Sequence, residues 1–380
     1  MKSLLTLSFC LLVGSAMAQH VSMKEIITQV QKTYAPDKRT VIFEAEVSED
    51  GKLTGKTSSA VAHEALVEKL KAVQPSLVDE MQVLPNAAVG EKTQAIVNVS
   101  VCNIRSAPKH SAELATQALL GTTLNVYEKE GSWLRVQTPD AYISWVDQGA
   151  IFLATPAEVE NWQKARKLIY LTPYGFSYAE ANADGSTISD IVAGDLVAYK
   201  GEKGAFYEVA YPDGRKAFIR KADARFYEEW LSSVQISESS LVSTSKKLMG
   251  LPYLWGGTSF KGVDCSGFTK TVYFLNGVQL PRDASQQVNS GELVDTTKDW
   301  SKLRPGDLLF FGKVNEDGTE KVVHVAMWIG NNQFIHSSNF VMVNSVDPSA
   351  DHYDEFNVGR YLRTKRIINH YTNALKFSKK

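Results

Sequence analysis

The chain has 380 residues, with 41 basic against 42 acidic side chains, 44% hydrophobic and 22% charged residues, and three cysteines. That length allows about two to four domains, each able to bury a core, and an aromatic content of 10% argues against disorder or a fibre. A formal net charge of -1 leaves no global electrostatic case for nucleic acid or anionic lipid, so partners have to be recognised at local sites.

At the N-terminus Lys2 precedes the apolar run Leu4 to Val13, and Ala16-Met17-Ala18 has the small-x-small pattern cut by signal peptidase. Residues 1–18 are therefore expected to be a signal peptide and Gln19 the first mature residue, which predicts export to a periplasmic or extracellular space. Lipid attachment at Cys10 is disfavoured by the bulky Phe9 before it. No later stretch approaches the roughly 18 apolar residues of a membrane span. Removing the signal leaves Cys102 and Cys265. Cys102 lies in the alternating run Val99 to Ile104 and is expected to be a buried, inert thiol.

Residues 19–92 predict a small αββα unit. It comprises a helix from Met23 to Tyr34, strands Thr40 to Val47 and Lys52 to Lys56 around the Glu49-Asp50-Gly51 turn, and a helix from Ala60 to Ala72. Its histidine, His63, lies on a helix, where a solvated or core histidine is expected rather than a ligand, and no chemistry is assigned to this unit. His20, His110, His352 and His370 are likewise expected to be solvated.

From about 95 to 230 the pattern changes to short aromatic-rich strands separated by Gly, Pro and Asp, as in small β-barrels. An internal repeat runs through it. At an offset of 73, Gly121, Leu124, Trp133, Val136, Pro139, Asp140, Trp145 and Val146 meet Gly194, Val197, Phe206, Val209, Pro212, Asp213, Phe218 and Ile219 without a gap. The pattern resembles the bacterial SH3-like domains of exported cell-wall proteins, and predicts barrels over 93–155 and 156–232. The copies differ where Tyr142 meets Arg215. Residues 160–170 and 225–236 are expected to be connecting segments.

The last domain, 237–368, is expected to be α+β, followed by a C-terminal tail over 369–380. A helix from Leu241 to Met249 precedes a Gly-rich loop and a second helix from Cys265 to Asn276, and strands follow around Asp307 to Phe311, Val323 to Ile329 and Gln333 to His336. Cys265 thus opens a helix, where unpaired N–H groups and the dipole favour the thiolate and predict a lowered pKa. His324 and His336 flank the Gly330-Asn331-Asn332 turn, which places both imidazoles on one face of a hairpin. The series Cys265, His324, His336 can supply nucleophile, base and orienting group. On these residues alone, an inert thiol or a zinc site made with the two histidines stays open, although no CxxC or HExxH spacing is present.

Several stretches in order resemble the NlpC-type family of papain-like cell-wall cysteine peptidases: Tyr253-Leu254-Trp255-Gly256-Gly257, Asp264-Cys265-Ser266-Gly267-Phe268, Leu280-Pro281-Arg282-Asp283, Arg304-Pro305-Gly306-Asp307-Leu308, His324-Val325 and Ile335-His336. Ala326 stands where the family often has Gly. The resemblance implies that Cys265 is the nucleophile, His324 the base and His336 the third polar residue, and that no metal or other cofactor is needed. With two SH3-like domains ahead, the chain resembles the γ-D-glutamyl-L-diamino-acid endopeptidases of the dipeptidyl-peptidase VI type. In that subgroup an acidic residue and a tyrosine of the first SH3-like domain contact the free amine of an N-terminal L-Ala, and the matching residues are Glu113 and Tyr142. Tyr253, Trp255, Asp264, Ser266 and Asp283 are implied to line the rest of the substrate pocket. The implied partner is the cell-wall peptide L-Ala-γ-D-Glu-diamino acid. Two alternatives are an endopeptidase or amidase anchored to intact wall by the SH3-like domains, and a non-catalytic wall-binding protein.

Overall fold

A computed structural model describes residues 22–369, so the expected signal peptide, Cys10, His20, His370 and all but the first residue of the tail 369–380 lie outside the described residues. Two compact units are present, one ending at Val83 and the other beginning at Leu84. Among the described residues no helix is long and apolar enough to cross a membrane.

In the first unit α1 (Met23–Tyr34) starts at a capping box in which Ser22 and Glu25 each satisfy the other's backbone N–H. Helix α2 follows at Ala60–Val73, and β1 (Phe43–Val47) and β2 (Lys52–Thr57) form the expected hairpin. Ile26 and Val30 of α1 and Leu66 and Leu70 of α2, each pair four residues apart, close a core with Leu53. Two short strands absent from the expected order, β3 (Val78–Asp79) and β4 (Gln82–Val83), run parallel to β2. His63 is half-buried, and its Nε2 lies 2.9 Å from Asp79 Oδ2.

Residues 84–92, expected in the first unit, fall in the second, where the Asn86 N–H donates to Tyr127 O. The first barrel comprises β5 (Gln94–Val97), β6 (Val101–Arg105), β7 (Leu114–Leu119), β8 (Thr123–Glu130), β9 (Trp133–Gln137), β10 (Ile143–Asp147) and β11 (Ile151–Ala154). The second comprises β12 (Lys167–Tyr170), β13 (Tyr174–Tyr178), β14 (Thr187–Val192), β15 (Leu196–Lys203), β16 (Phe206–Ala210), β17 (Lys216–Arg220) and β18 (Ala224–Phe226). Every strand of the second begins 73 residues after its counterpart, and the sheet orders β11-β5-β8-β9-β10-β6-β7 and β18-β12-β15-β16-β17-β13-β14 are the same. Even the bulge recurs, at Val126/Glu128 and at Tyr199/Gly201. The cores match in the same way, Ala95, Leu124, Val136 and Val146 against Leu168, Val197, Val209 and Ile219. Cys102 is fully buried in the first core, and burial pushes its thiol up to about 12, so it stays protonated and inert.

The two expected connectors contain regular structure. Helix α3 (Pro156–Lys164) begins with a Thr155 to Glu158 capping box and buries Val159 and Trp162, and residues 167–170 form β12. Residues 227–233 form α4 (Tyr227–Ser233), which buries Tyr227, Trp230 and Leu231 at helical spacing. Tertiary contacts supply what these short segments lack in length.

The last domain starts with α5 (Glu238–Lys246). After the two-residue strands β19 (Thr258–Ser259) and β20 (Gly262–Val263) comes α6 (Cys265–Phe274), then α7 (Ala284–Gln287), β21 (Glu292–Asp295), β22 (Leu308–Val314), β23 (Glu320–Gly330), β24 (Gln333–Ser337), β25 (Val341–Ser345), α8 (Glu355–Gly359) and β26 (Tyr361–Arg366). The six long strands form one antiparallel sheet in the order β21-β26-β22-β23-β24-β25. Phe268 and Val272 of α6 pack with Val325, Met327 and Ile335 of the sheet. The chain is thus multidomain: a small α+β unit, two SH3-like barrels and a C-terminal α+β papain-like domain.

The first barrel docks on the last domain through buried polar contacts. Gln117 of β7 accepts from Thr258 N and Ser259 Oγ at 3.0 Å each. Asp140 pairs with Lys270 of α6, the two side chains being only 3% and 11% exposed. Burial works against the Asp140 carboxylate, yet the Lys270 ammonium and the Thr138 hydroxyl hold it below its ordinary pKa. Lys261 ties the last domain to both barrels, pairing with Asp190 of the second at 2.6 Å and donating to Ser100 Oγ of the first at 2.8 Å. Arg215, the counterpart of Tyr142, instead joins the barrels by donating Nη2 to Asn98 O at 2.8 Å.

Gly256 marks the closest approach at this seam. Its φ is +81°, and a Cβ there would lie 2.2 Å from the backbone oxygen of Leu114. Either barrel strand β7 or the loop before Cys265 would have to move. Gly256→Ala should therefore cost about 1–3 kcal/mol of stability. Differential scanning calorimetry would read it as a lower Tm, and an unchanged Tm would contradict this tight docking.

Candidate active site

Asp264 is the residue around which the nucleophile loop is tied. As N-cap of α6, its Oδ1 accepts from Gly267 N at 2.7 Å, and its Oδ2 accepts from Gly256 N at 2.9 Å. Ser266 Oγ donates to Oδ1 at 3.2 Å, and both terminal nitrogens of Arg282 donate to the same carboxylate. Arg282 Nη1 also donates to Ser266 Oγ at 2.9 Å. Arg282 is 1% exposed and Asp264 6%, so the pair is compensated in place. With its oxygens filled by protein donors, Asp264 shapes the pocket wall. Arg282, to which the sequence motif assigned no role, completes that wall.

The knot fixes Cys265 at the start of α6, with its sulfur against the backbone N–H groups of Val325 and Ser266. The expectation of a lowered thiol pKa is not met. Burial, then the Asp264 carboxylate, push it up to about 12, outweighing the Val325 N–H, Arg282 and Ser266 N–H. A helix N-terminus supplies at most a few kcal/mol, while packing in the core leaves the residue 8% exposed.

Val325 follows His324 directly, and from there a hydrogen-bonded chain runs across the hairpin. His324 Nε2 lies 2.7 Å from His336 Nδ1, and His336 Nε2 lies 3.0 Å from Asn344 Oδ1. Asn344 Nδ2 in turn donates to His352 O at 3.1 Å, which orients the amide. An amide oxygen only accepts, so His336 carries its proton on Nε2 and accepts at Nδ1. His324 must then carry its proton on Nε2, leaving the Nδ1 lone pair free to act as a base. Asn344 and the His352 carbonyl thus set the tautomer of His324 at two removes. The His352 side chain is exposed, as expected, and only its backbone carbonyl takes part.

Both imidazoles lie on one face, His324 beside Phe311 and His336 beside Phe334. Burial, then His336 and Arg360, drive the His324 pKa well below its ordinary value, and burial also lowers that of His336. Burial therefore works against the charged form of the thiol and of the imidazole alike. Passing the proton from one to the other leaves the net charge of the site unchanged, which costs less than ionising either group alone.

Beyond Asp264 lie the remaining residues singled out from sequence. Tyr253 is half-buried, and desolvation and the neighbouring Cys265 and Asp264 keep its hydroxyl protonated. Tyr142 of the first barrel and Asp283 both interact electrostatically with Arg282. Trp255 is 61% exposed, so it is not a core residue, and its Nε1 donates to Glu113 Oε1 at 2.5 Å. The first barrel thus brings Glu113 and Tyr142 to the loop and wall that hold Cys265. His110 is far more exposed and stacks edge-on against Trp133.

Comparison with known proteins agrees with this anatomy. The NlpC/P60 family profile matches residues 250–373, and the profile described as the bacterial dipeptidyl-peptidase Sh3 domain matches residues 104–151. A gamma-D-glutamyl-L-lysine dipeptidyl-peptidase of Bacillus cereus is 33% identical over 239 residues, covering 59% of this chain and 67% of the relative. Dipeptidyl-peptidase 6 of Lysinibacillus sphaericus is 29% identical over 273 residues, covering 67% and 92%. A crystal structure of an NlpC/P60 family protein from Bacillus cereus superposes with a TM-score of 0.62 at 26% identity, covering 72% of this chain and 99% of that one. The chain belongs to the NlpC/P60 family of cysteine peptidases.

Proposed function

We propose that this peptidase hydrolyses the bond between γ-D-Glu and an L-diamino acid, lysine or diaminopimelate, in cell-wall peptides that carry a free N-terminal L-Ala. Cys265 Sγ attacks the γ-carbonyl carbon while its proton passes to His324 Nδ1. A carbon–sulfur bond forms, and the carbon–nitrogen bond breaks as His324 returns the proton to the leaving amine. Water then adds to the thioester with His324 as base, releasing L-Ala-γ-D-Glu and restoring the thiol. His336 positions the base, and the Cys265 and Ser266 N–H groups at the start of α6 are suited to receive the oxyanion.

The observation that carries this reading is the meeting of Glu113 with Trp255 where the first barrel covers the nucleophile loop. A barrel wedged against the cleft leaves room for a short peptide end, and a carboxylate there rewards a charged amine and penalises an acylated one. Tyr142, Tyr253, Trp255, Ser266 and Asp283 form the rest of that subsite, with Asp264 behind them. Relatives from Bacillus cereus and Bacillus subtilis named gamma-D-glutamyl-L-lysine dipeptidyl-peptidases support the lysine form of this bond. The substrate is a freed wall fragment, which places the enzyme in wall turnover or recycling outside the cytoplasm.

Glu113→Ala should raise KM about 10-fold or more for the free-amine tripeptide L-Ala-γ-D-Glu-diamino acid, through loss of a charge-assisted contact, and leave the N-acetylated twin equally poor. Steady-state kinetics on both peptides and on intact peptidoglycan, with EDTA present, decide the matter. Equal cleavage of free and acetylated peptides, or preference for intact wall, would make the barrels anchors and overturn the reading.

A further inference from the structure

The acyl side of the proposed cleft is well furnished, but the side that receives the leaving amine also has a charged group. Phe311 pairs with His324 on β23 and with Tyr361 on β26, so Arg360, the residue before Tyr361, stands at the histidine end of the sheet. Its charge is felt by Cys265, His324 and His336 alike. Nε and Nη2 of Arg360 donate to Asn357 Oδ1 at 3.0 and 2.7 Å, and the guanidinium lies 4.3 Å from the centroid of the Phe356 ring, which is 71% exposed. Nη1 makes no hydrogen bond among the described residues, and no carboxylate among them forms an ion pair with Arg360. Asp354, whose two oxygens accept from Asn357, acts on it electrostatically without forming an ion pair. Asn357 therefore holds the guanidinium in place without neutralising it.

The leaving nitrogen must come within reach of His324, so the diamino acid attached to it lies on the histidine side, away from Glu113 and Tyr142. A fixed guanidinium there with no carboxylate in direct contact is matched to a substrate carboxylate. Resting on the function proposed above, we propose that Arg360 binds a carboxylate of the leaving diamino acid and thereby determines which peptides are cleaved. That carboxylate has two possible sources: the α-carboxyl of a tripeptide that ends at the diamino acid, or the distal carboxyl that diaminopimelate has and lysine lacks.

The test uses the full chain and tripeptides ending in lysine or diaminopimelate, each as the free acid and as the α-amide. Wild type should cleave the lysine amide, which lacks both carboxylates, with kcat/KM lower by about 10-fold or more than the best carboxylate-bearing peptide. A deficit removed by the α-carboxyl identifies the first source, and one removed by diaminopimelate the second. Arg360→Gln should level the series, mainly through KM, while Arg360→Lys keeps part of the preference. Equal cleavage of all the peptides by wild type, a comparison that needs no variant, would overturn the assignment, as would a uniform loss in a folded Arg360→Gln. Failure of wild type on every peptide would instead overturn the underlying reading, and this inference with it.

Discussion

Cys265→Ala should lower kcat by about 10⁴-fold or more, since removing the nucleophile leaves the histidine pair nothing to activate. The pH dependence should carry the signature of the buried thiol and imidazole. Burial holds His324 well below its ordinary pKa, so its lone pair stays available as pH falls through 6.5, and the acid limb of kcat/KM in wild type should lie below that point. A limb centred at or above pH 6.5 would show that the base is not buried as described. Stability follows the same logic. Below about pH 6.5 the unfolded chain takes up protons that the folded His324 and His336 refuse, so folding weakens as pH falls toward their folded values. The Cys265 thiol acts at the other end. Its folded pKa near 12 exceeds the unfolded value, so stability is lost as pH rises above about 8.5. Urea titrations of wild type and Cys265→Ala across pH 8–10 should converge if the thiol is the group responsible.

Much of this site could be read along the chain because its parts lie in short local patterns. Asp264 and Cys265 open a helix, His324 and His336 bracket a turn, and the repeat at 73 residues reproduces every strand of a barrel. Asn344 could not be read this way, because only the register of β24 against β25 and its Oδ1 contact show that it orients His336. Arg282 stood inside a recognised motif, but its part depends on a buried partner 18 residues earlier. The lowered thiol pKa expected at the helix terminus fails for a related reason: the terminus is local in sequence, whereas the burial that overrides it comes from a core that includes Phe268, Val325 and Ile335. Helices α3 and α4, in segments expected to be connectors, carry signals of their own, a capping box in Thr155-Pro156-Ala157-Glu158 and the spacing of Tyr227, Trp230 and Leu231. Flanking strands only a few residues away masked both.

Arg282→Met should destabilise the protein by about 3–5 kcal/mol, the cost of removing one partner from a buried ion pair. Methionine fills much of the same space, so the loss comes from charge and hydrogen bonding and little from a cavity. Asp264 would keep Gly256 N, Gly267 N and Ser266 Oγ as donors but lose the only cation that pairs with it among the described residues. Left without its cation, the buried carboxylate is a stranded charge, so the caps it makes on α6 and on the Gly256 loop should both loosen. Since those caps place Cys265 and Trp255, kcat should fall along with Tm. The double variant Arg282→Met/Asp264→Asn separates the two effects. It removes the stranded charge while keeping an acceptor at the N-cap, and should recover part of the lost Tm while activity stays low. Chemical denaturation and tripeptide kinetics on both variants read this out, and an Arg282→Met protein as stable as wild type would show that the buried pair is not what holds the nucleophile loop.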